Sequence, residues 1–232
     1  MTQPRPPRIF FIGGFFLCMN GGFVNVIAMY EPFHQGVSHL TGTLSRIGID
    51  LAQPSGFLWE GLGLVFSYLA GSALSGAILD STNFQLGRRY GVMLMMEAVI
   101  LAIAGALIEN QQLSGLFFAA AACGLQNGMT THYSGAAVRT THMTGMVTDL
   151  GIFFGKWISR KPLDPWRLAL YLVALTGFVL GGLAGALSFA KWHQNAFWLC
   201  AGICAMVGIT HWFWRVQWLR RQRESATLSK SI

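Results

Sequence analysis

Two five-residue phrases carry most of the chemistry this chain can offer: Ser38-His39-Leu40-Thr41-Gly42 and Thr141-His142-Met143-Thr144-Gly145. Each sets an imidazole just ahead of a hydroxyl that is followed by glycine. A Thr-Gly step at the start of a helix leaves backbone N–H groups unpaired, with a hydroxyl and the positive end of the helix dipole beside them. Such an end can take an anion or the negative end of a polar solute. It can also be an ordinary cap, with Thr satisfying its own helix. Thr41, Gly42, Thr144 and Gly145 are therefore candidate solute-binding residues. His39 and His142 are the natural proton-responsive groups, since an unperturbed imidazole titrates at about pH 6.5; either ring can equally serve a backbone carbonyl.

Further polar residues stand among apolar ones. Arg46 and Asp149 hold the same position after the two phrases with opposite charge. That fits a gating or coupling pair, or equally a structural pair locking two halves together. Arg46 and Asp50, one helical turn apart, offer a competing local pair. Asn25, Gln126 and Asn127 lie where the preceding apolar runs must end or unwind. There they can hydrogen-bond a solute or satisfy freed backbone groups. Glu97 sits in the middle of an apolar run, where an ionisable side chain is either functional, as in proton coupling, or held by a neighbouring helix.

The elements that position these residues are membrane helices. Of 232 residues, 53% are hydrophobic and 11% charged, against about 25% charged in soluble domains. Apolar runs recur at Ile9–Met29, Phe57–Leu79, Gly91–Ile108, Leu113–Met129, Leu168–Ala190 and Ala196–Trp214, each near the length that crosses a bilayer. The 28 glycines suit close helix contacts, because little hydrophobic force acts between helices in lipid. The four cysteines (Cys18, Cys123, Cys200, Cys204) all fall inside apolar runs without a metal-binding spacing, so they read as buried packing thiols.

The phrases recur because the chain reads as a duplication. Placing Thr41-Gly42 on Thr144-Gly145 also aligns His39 with His142, Ser45 with Thr148 and Gly48 with Gly151; upstream, Asn25 meets Asn127 after one residue of slippage. Thr41–Ala52 and Thr144–Ile158 are short for a crossing, which is typical of re-entrant or broken helices. If they re-enter, six spans result and the basic loops (Arg88-Arg89, Lys156–Arg167) join both termini on one side. If they cross, eight spans result and Arg88-Arg89 moves outside. The positive-inside rule favours six spans with both termini cytoplasmic. Three spans per half is odd, so the halves point opposite ways, as in many secondary transporters.

The expected fold is thus an all-α integral membrane protein with six transmembrane helices in two inverted three-helix repeats, each with a short re-entrant or broken helix opened by Thr-Gly. Residues 1–8 form a cytoplasmic tail, 9–108 the first repeat, 113–214 the second and 215–232 a basic cytoplasmic tail.

At Gly22-x-x-Asn25, His39-Leu40-Thr41-Gly42, Gly124-Leu-Gln126-Asn127-Gly128 and Arg139-Thr140-Thr141-x-x-Thr144-Gly145 the sequence resembles the YoaK family of bacterial inner-membrane proteins, known chiefly as a domain of unknown function. The family more often has Asp where this chain has Asn25. The resemblance runs over nearly the whole chain. It implies an integral protein of the bacterial inner (plasma) membrane with about six spans, and supplies no substrate.

Enzyme signatures are absent from the sequence: no HExxH, GxSxG, Walker A or dinucleotide fingerprint occurs. Met93, Met95, Met96, His132 and His142 raise soft-metal handling, but Met fills gaps in apolar helices without binding metal. The expectation is a non-enzyme without cofactor or bound metal: a permease or secondary transporter of a small polar or anionic solute, with protons as a candidate coupling ion. A non-transporting membrane scaffold or accessory protein is the alternative, an intramembrane enzyme the third. The partners expected are the lipid bilayer, the solute and, as an open case, a second copy of the chain. The net charge of +7 lies in loops and tail, where topology puts it, and does not point to nucleic acid.

Overall fold

The computed structural model describes residues 8–30, 32–79, 88–133 and 139–228, with side chains for 10–30, 32–79, 89–132 and 139–217. The expected N-terminal tail up to residue 7 and the last four residues lie outside them, so the tails' placement is not described. Among the described residues there are eight α-helices, one short 3₁₀ turn (His193–Ala196) and no strand. The helices are α1 (Arg8–Ala28), α2 (Leu40–Ala52), α3 (Phe57–Ile78), α4 (Arg88–Glu109), α5 (Ser114–Tyr133), α6 (Met143–Ile158), α7 (Pro165–Trp192) and α8 (Phe197–Leu228).

Four stretches are long and apolar enough to cross a membrane: Phe10–Ala28, Phe57–Ile78, Arg89–Glu109 and Pro165–Gln217, the last taking in both α7 and α8. The run read at Leu113–Met129 forms α5 but is not among them. Its last turns carry Gln126, Asn127, Thr130, Thr131 and His132, which pull the average down. The outward surface is apolar: α3 exposes Trp59, Phe66 and Leu69, and α7 exposes Val179, Leu183 and Leu187. A soluble monomer rarely shows so much contiguous apolar surface. This is the outside of a membrane-embedded protein.

Glycine decides which helices pack. α1 lies along α7, with Gly177 against Phe15 and Cys18, Gly181 against the backbone of Met19, and Gly185 against Phe23. α3 lies along α5 in the same manner, with Gly63 against Phe117, Gly71 against the backbone of Ala121, and Gly128 against Ser75. Both pairs run parallel. In each, two glycines leave no room for a Cβ beside the partner's carbonyl: Gly22 at Phe178 and Gly181 at Met19; Gly124 at Tyr68 and Gly71 at Ala121. α4 packs antiparallel to α8, with Gly91 beside His211 and Gly105 beside Phe197, and turns back into α5 through Asn110–Leu113. Because α4 also runs beside α1 in the same sense (Tyr90 near Phe10, Glu97 against Asn20), α1, α4 and α7 point one way and α3, α5 and α8 the other. The short helices are peripheral: α2 packs chiefly on α3, and α6 on α7.

Candidate functional site

Both polar phrases are held by an asparagine from the preceding helix. In α1, Asn25 Oδ1 accepts from the backbone N–H of Ser38 at 3.2 Å and from its hydroxyl at 2.9 Å. In α5, Asn127 Oδ1 accepts from the N–H of Thr141 at 3.2 Å, while its Nδ2 donates to Thr141 Oγ1 at 2.8 Å and to the Cys123 carbonyl at 2.8 Å. Gln126 Nε2 donates to the Leu17 carbonyl, tying α5 to α1. All three amides are at most 3% exposed, and they bond backbone, phrase and, from Asn25 Nδ2, Met29 Sδ at 3.6 Å. These bonds join each phrase to the helix before it, and α5 to α1.

Each phrase then opens a helix in the same way. The N-cap is the histidine, His39 for α2 and His142 for α6, with φ −98° and −87° and no side-chain cap hydrogen bond. Thr41 and Thr144 stand two positions past the cap, at the second helical residue, and both are exposed. Their carbonyls accept from Ser45 Oγ at 2.9 Å and Thr148 Oγ1 at 3.0 Å. The glycines differ. A Cβ on Gly145 would collide with the folded-back ring of His142, whereas nothing lies within 4 Å of one on Gly42. His39 instead turns its ring toward Phe178, centroids 6.1 Å apart. His39 as a residue is exposed.

The two helix starts sit at one level of the bundle. Thr141 presses on Gly21 of α1 and hydrogen-bonds Tyr68 of α3. His39 meets Phe178, whose backbone presses on Gly22. Arg139, exposed and just ahead of α6, lies close enough to Tyr68 to act on it electrostatically; the sequence reading used Arg139 only as part of a motif.

Arg46 and Asp149 are not brought together as an ion pair among the described residues. Arg46 Nη1 donates to Gln35 Oε1 and its guanidinium lies 3.7 Å over the Phe57 ring. Asp149 hydrogen-bonds Tyr171. The reason is placement: each short helix rests on the long helix that follows it, so its charged residue finds a local partner. The competing Arg46–Asp50 pair does not form either. Asp50 Oδ1 accepts from the N–H of Ser55 at 2.6 Å, from its hydroxyl, and from the N–H of Phe57 at 3.2 Å, and Oδ2 accepts from Leu58 N at 3.0 Å. Asp50 thus caps the start of α3, across a turn that needs Gly56 in the left-handed region at φ +88°. These hydrogen bonds lower its pKa to about 2.

Glu97, 1% exposed, meets Asn20 of α1 and Cys204 of α8. Asn20 Nδ2 lies 3.0 Å from Cys204 Sγ, and Glu97 Oε2 and Asn20 Oδ1 find no partner. Asn20 was the legible signal here, an amide in the middle of an apolar run.

A helical bundle with membrane-suited outer faces and two asparagine-pinned helix starts at its middle is the architecture of an integral membrane protein. The family described as "Protein of unknown function (DUF1275)" matches residues 13–210, and the chain belongs to it; this agrees with the resemblance to the YoaK kind. No curated protein and no solved structure matches the chain.

Proposed function

We propose that this protein is a six-span membrane permease or secondary transporter for a small polar or anionic solute, built from two inverted repeats with both termini cytoplasmic. The observation that carries the reading is the pair of uncapped helix starts, at Thr41-Gly42 and Thr144-Gly145, that flank the Gly21–Gly22 level of α1. Backbone N–H groups and dipole ends aimed at one level favour negative charge, with Arg139 adding a cation beside one of them. A scaffold would have no need for two helix starts left without a side-chain cap at one level of the bundle.

The helix directions support the topology. α1 and α3 point opposite ways, so α2 does not complete a crossing, and the same holds for α6 between α5 and α7. Each half then contributes three crossings, in opposite senses. The equivalent contacts also support a repeat. Asn25–Ser38 answers Asn127–Thr141, and the glycine contacts of α1 with α7 answer those of α5 with α3. Glu97 is the candidate proton-coupling group, a buried carboxyl with one oxygen unpartnered.

The test is uptake into proteoliposomes across a panel of small anions, organic acids and neutral polar solutes, at matched and imposed pH gradients. Saturable uptake of one class, lost on charge reversal Arg139→Glu, is expected; indifference to every solute favours the scaffold. Cysteines placed at Gln111 and Ser159, in a background lacking the four native ones, should label from opposite sides.

A further inference from the structure

One cavity lies apart from Thr41-Gly42 and Thr144-Gly145 and has mostly apolar walls. It lies between the first half of α1, the start of α4 and the middle third of α8, with a volume of about 460 Å³, within the range of small-molecule sites. Phe16, Leu17, Leu94, Met206 and Trp214 give it apolar walls, and no Asp, Glu, Lys or Arg lines it among the described residues. The α1 wall is made of Gly13 and Gly14, and a Cβ on either would meet nothing within 4 Å. These two glycines therefore differ from Gly22 and Gly181: they do not serve helix contact, and their missing side chains are cavity space. Tyr90 and His211, which also line it, face each other with ring centroids 5.6 Å apart. Thr130 Oγ1 already donates to the Gln126 and Asn127 carbonyls and Thr210 Oγ1 to Met206. Thr140 Oγ1, on a residue 0% exposed, finds no partner.

We infer that this cavity binds an uncharged lipophile whose polar end is a hydrogen-bond acceptor such as a carbonyl, taken by the Thr140 hydroxyl, with its apolar body along Gly13 and Gly14. Physical chemistry selects that class. An ionised head would have to leave water for walls whose ionisable groups are Tyr90 and His211, already turned toward each other. A plain hydrocarbon would leave the buried hydroxyl unpaired, as it is now. An acceptor with an apolar body satisfies both. The site is separate from the solute path proposed above and does not depend on it.

The experiment measures equilibrium binding of 2-undecanone, undecane and undecanoate to the full-length protein in lipid nanodiscs, with stoichiometry from native mass spectrometry. The ketone should bind saturably, one per chain, and tighter than undecane by about three- to tenfold, the worth of one hydrogen bond; undecanoate should bind weakest. Gly14→Leu should abolish binding by filling the cavity. Gly202→Leu, at another glycine with open space but outside the cavity, should not. Thr140→Val should erase the preference for the ketone over undecane while leaving the protein at least as stable, since it removes an unpaired hydroxyl. Equal ketone uptake in wild type and Gly14→Leu, or undecanoate binding best, would overturn the proposal.

Discussion

Asn127 holds Thr141 by two hydrogen bonds, taking its backbone N–H at 3.2 Å and giving its own amide to the hydroxyl at 2.8 Å. The bond from Ser38 N to Asn25 Oδ1 has the same 3.2 Å length, yet the two amides are used differently. Asn25 acts toward its phrase only as an acceptor, its Nδ2 reaching no further than Met29 Sδ at 3.6 Å, whereas Asn127 both accepts and donates.

That difference predicts unequal tolerance. Asn25→Asp keeps both bonds to Ser38 and should be mild, in line with the aspartate common at this position in the resembling family. Asn127→Asp loses two donations and should cost more. Asn→Ala at either site leaves a buried N–H unpaired and should cost about 1–3 kcal/mol. Chemical unfolding in detergent checks the order; equal effects of the two Asp variants would refute it.

The glycines divide into two groups by what a Cβ would meet. Ala at Gly22, Gly71, Gly124 or Gly181 must push a partner helix's backbone away, at a cost of about 1–3 kcal/mol each. Ala at Gly42, Gly48, Gly151 or Gly155 meets nothing within 4 Å and should be neutral or stabilising, because glycine in a helix is unfavourable by about 1 kcal/mol. Thermal melts of the eight variants should fall into two separate sets.

Asp50 gives the protein an acid-sensitive joint outside the long helices. Its folded pKa is about 2, below the unfolded value of about 3.9. The stability it supplies is therefore present above pH of about 4 and is lost as pH falls through about 2. Asp50→Asn, which can accept with one oxygen only, should be less stable near neutrality and should flatten the loss between those pH values. An unchanged acid limb in Asp50→Asn would remove Asp50 from this role.

Glu97 separates a coupling carboxyl from a structural one. Gln has the same shape and can bond Asn20 and Cys204 but cannot release a proton. If Glu97 only fills its place, Glu97→Gln should fold and take up solute as wild type does, with the same response to pH. As a coupling group it should fold equally well and lose the dependence of uptake on an imposed pH gradient.

The helices were legible because their signals are collective. Six apolar runs and two short Thr-Gly segments became eight helices with ends shifted by a few residues, except that α8 continues well past Trp214 into the basic tail. The recurrence of Asn25 and Asn127 ahead of the phrases was legible as well, though not that they bind Ser38 and Thr141. What pattern did not yield was partnering. Arg46 and Asp149 match in position and oppose in charge, yet each pairs on its own side, with Gln35 and Tyr171, because α2 and α6 rest on separate long helices. Asp50 seemed a partner for Arg46 one turn away, and its true role depends on a turn at Gly56 that helical spacing does not encode.

Thr41 and Thr144 give the sharpest test of the transport reading. Neither hydroxyl caps its helix, since His39 and His142 take that position without a side-chain bond. Removing a hydroxyl that does no structural work should leave stability nearly untouched, so Thr→Val at either site should stay within about 0.5 kcal/mol of wild type, the range of ordinary surface changes. At a solute site, by contrast, the loss of one donor at a dipole end should weaken binding by about 1–3 kcal/mol, or roughly 5- to 150-fold in apparent affinity. Thr→Ser should restore it. The two positions should respond in the same direction, because each threonine is an exposed second helical residue behind a histidine that makes no side-chain cap bond. Uptake and melting temperature measured on the same four variants decide the matter: full uptake in both Val variants would reduce the repeated phrase to a hinge held by asparagine.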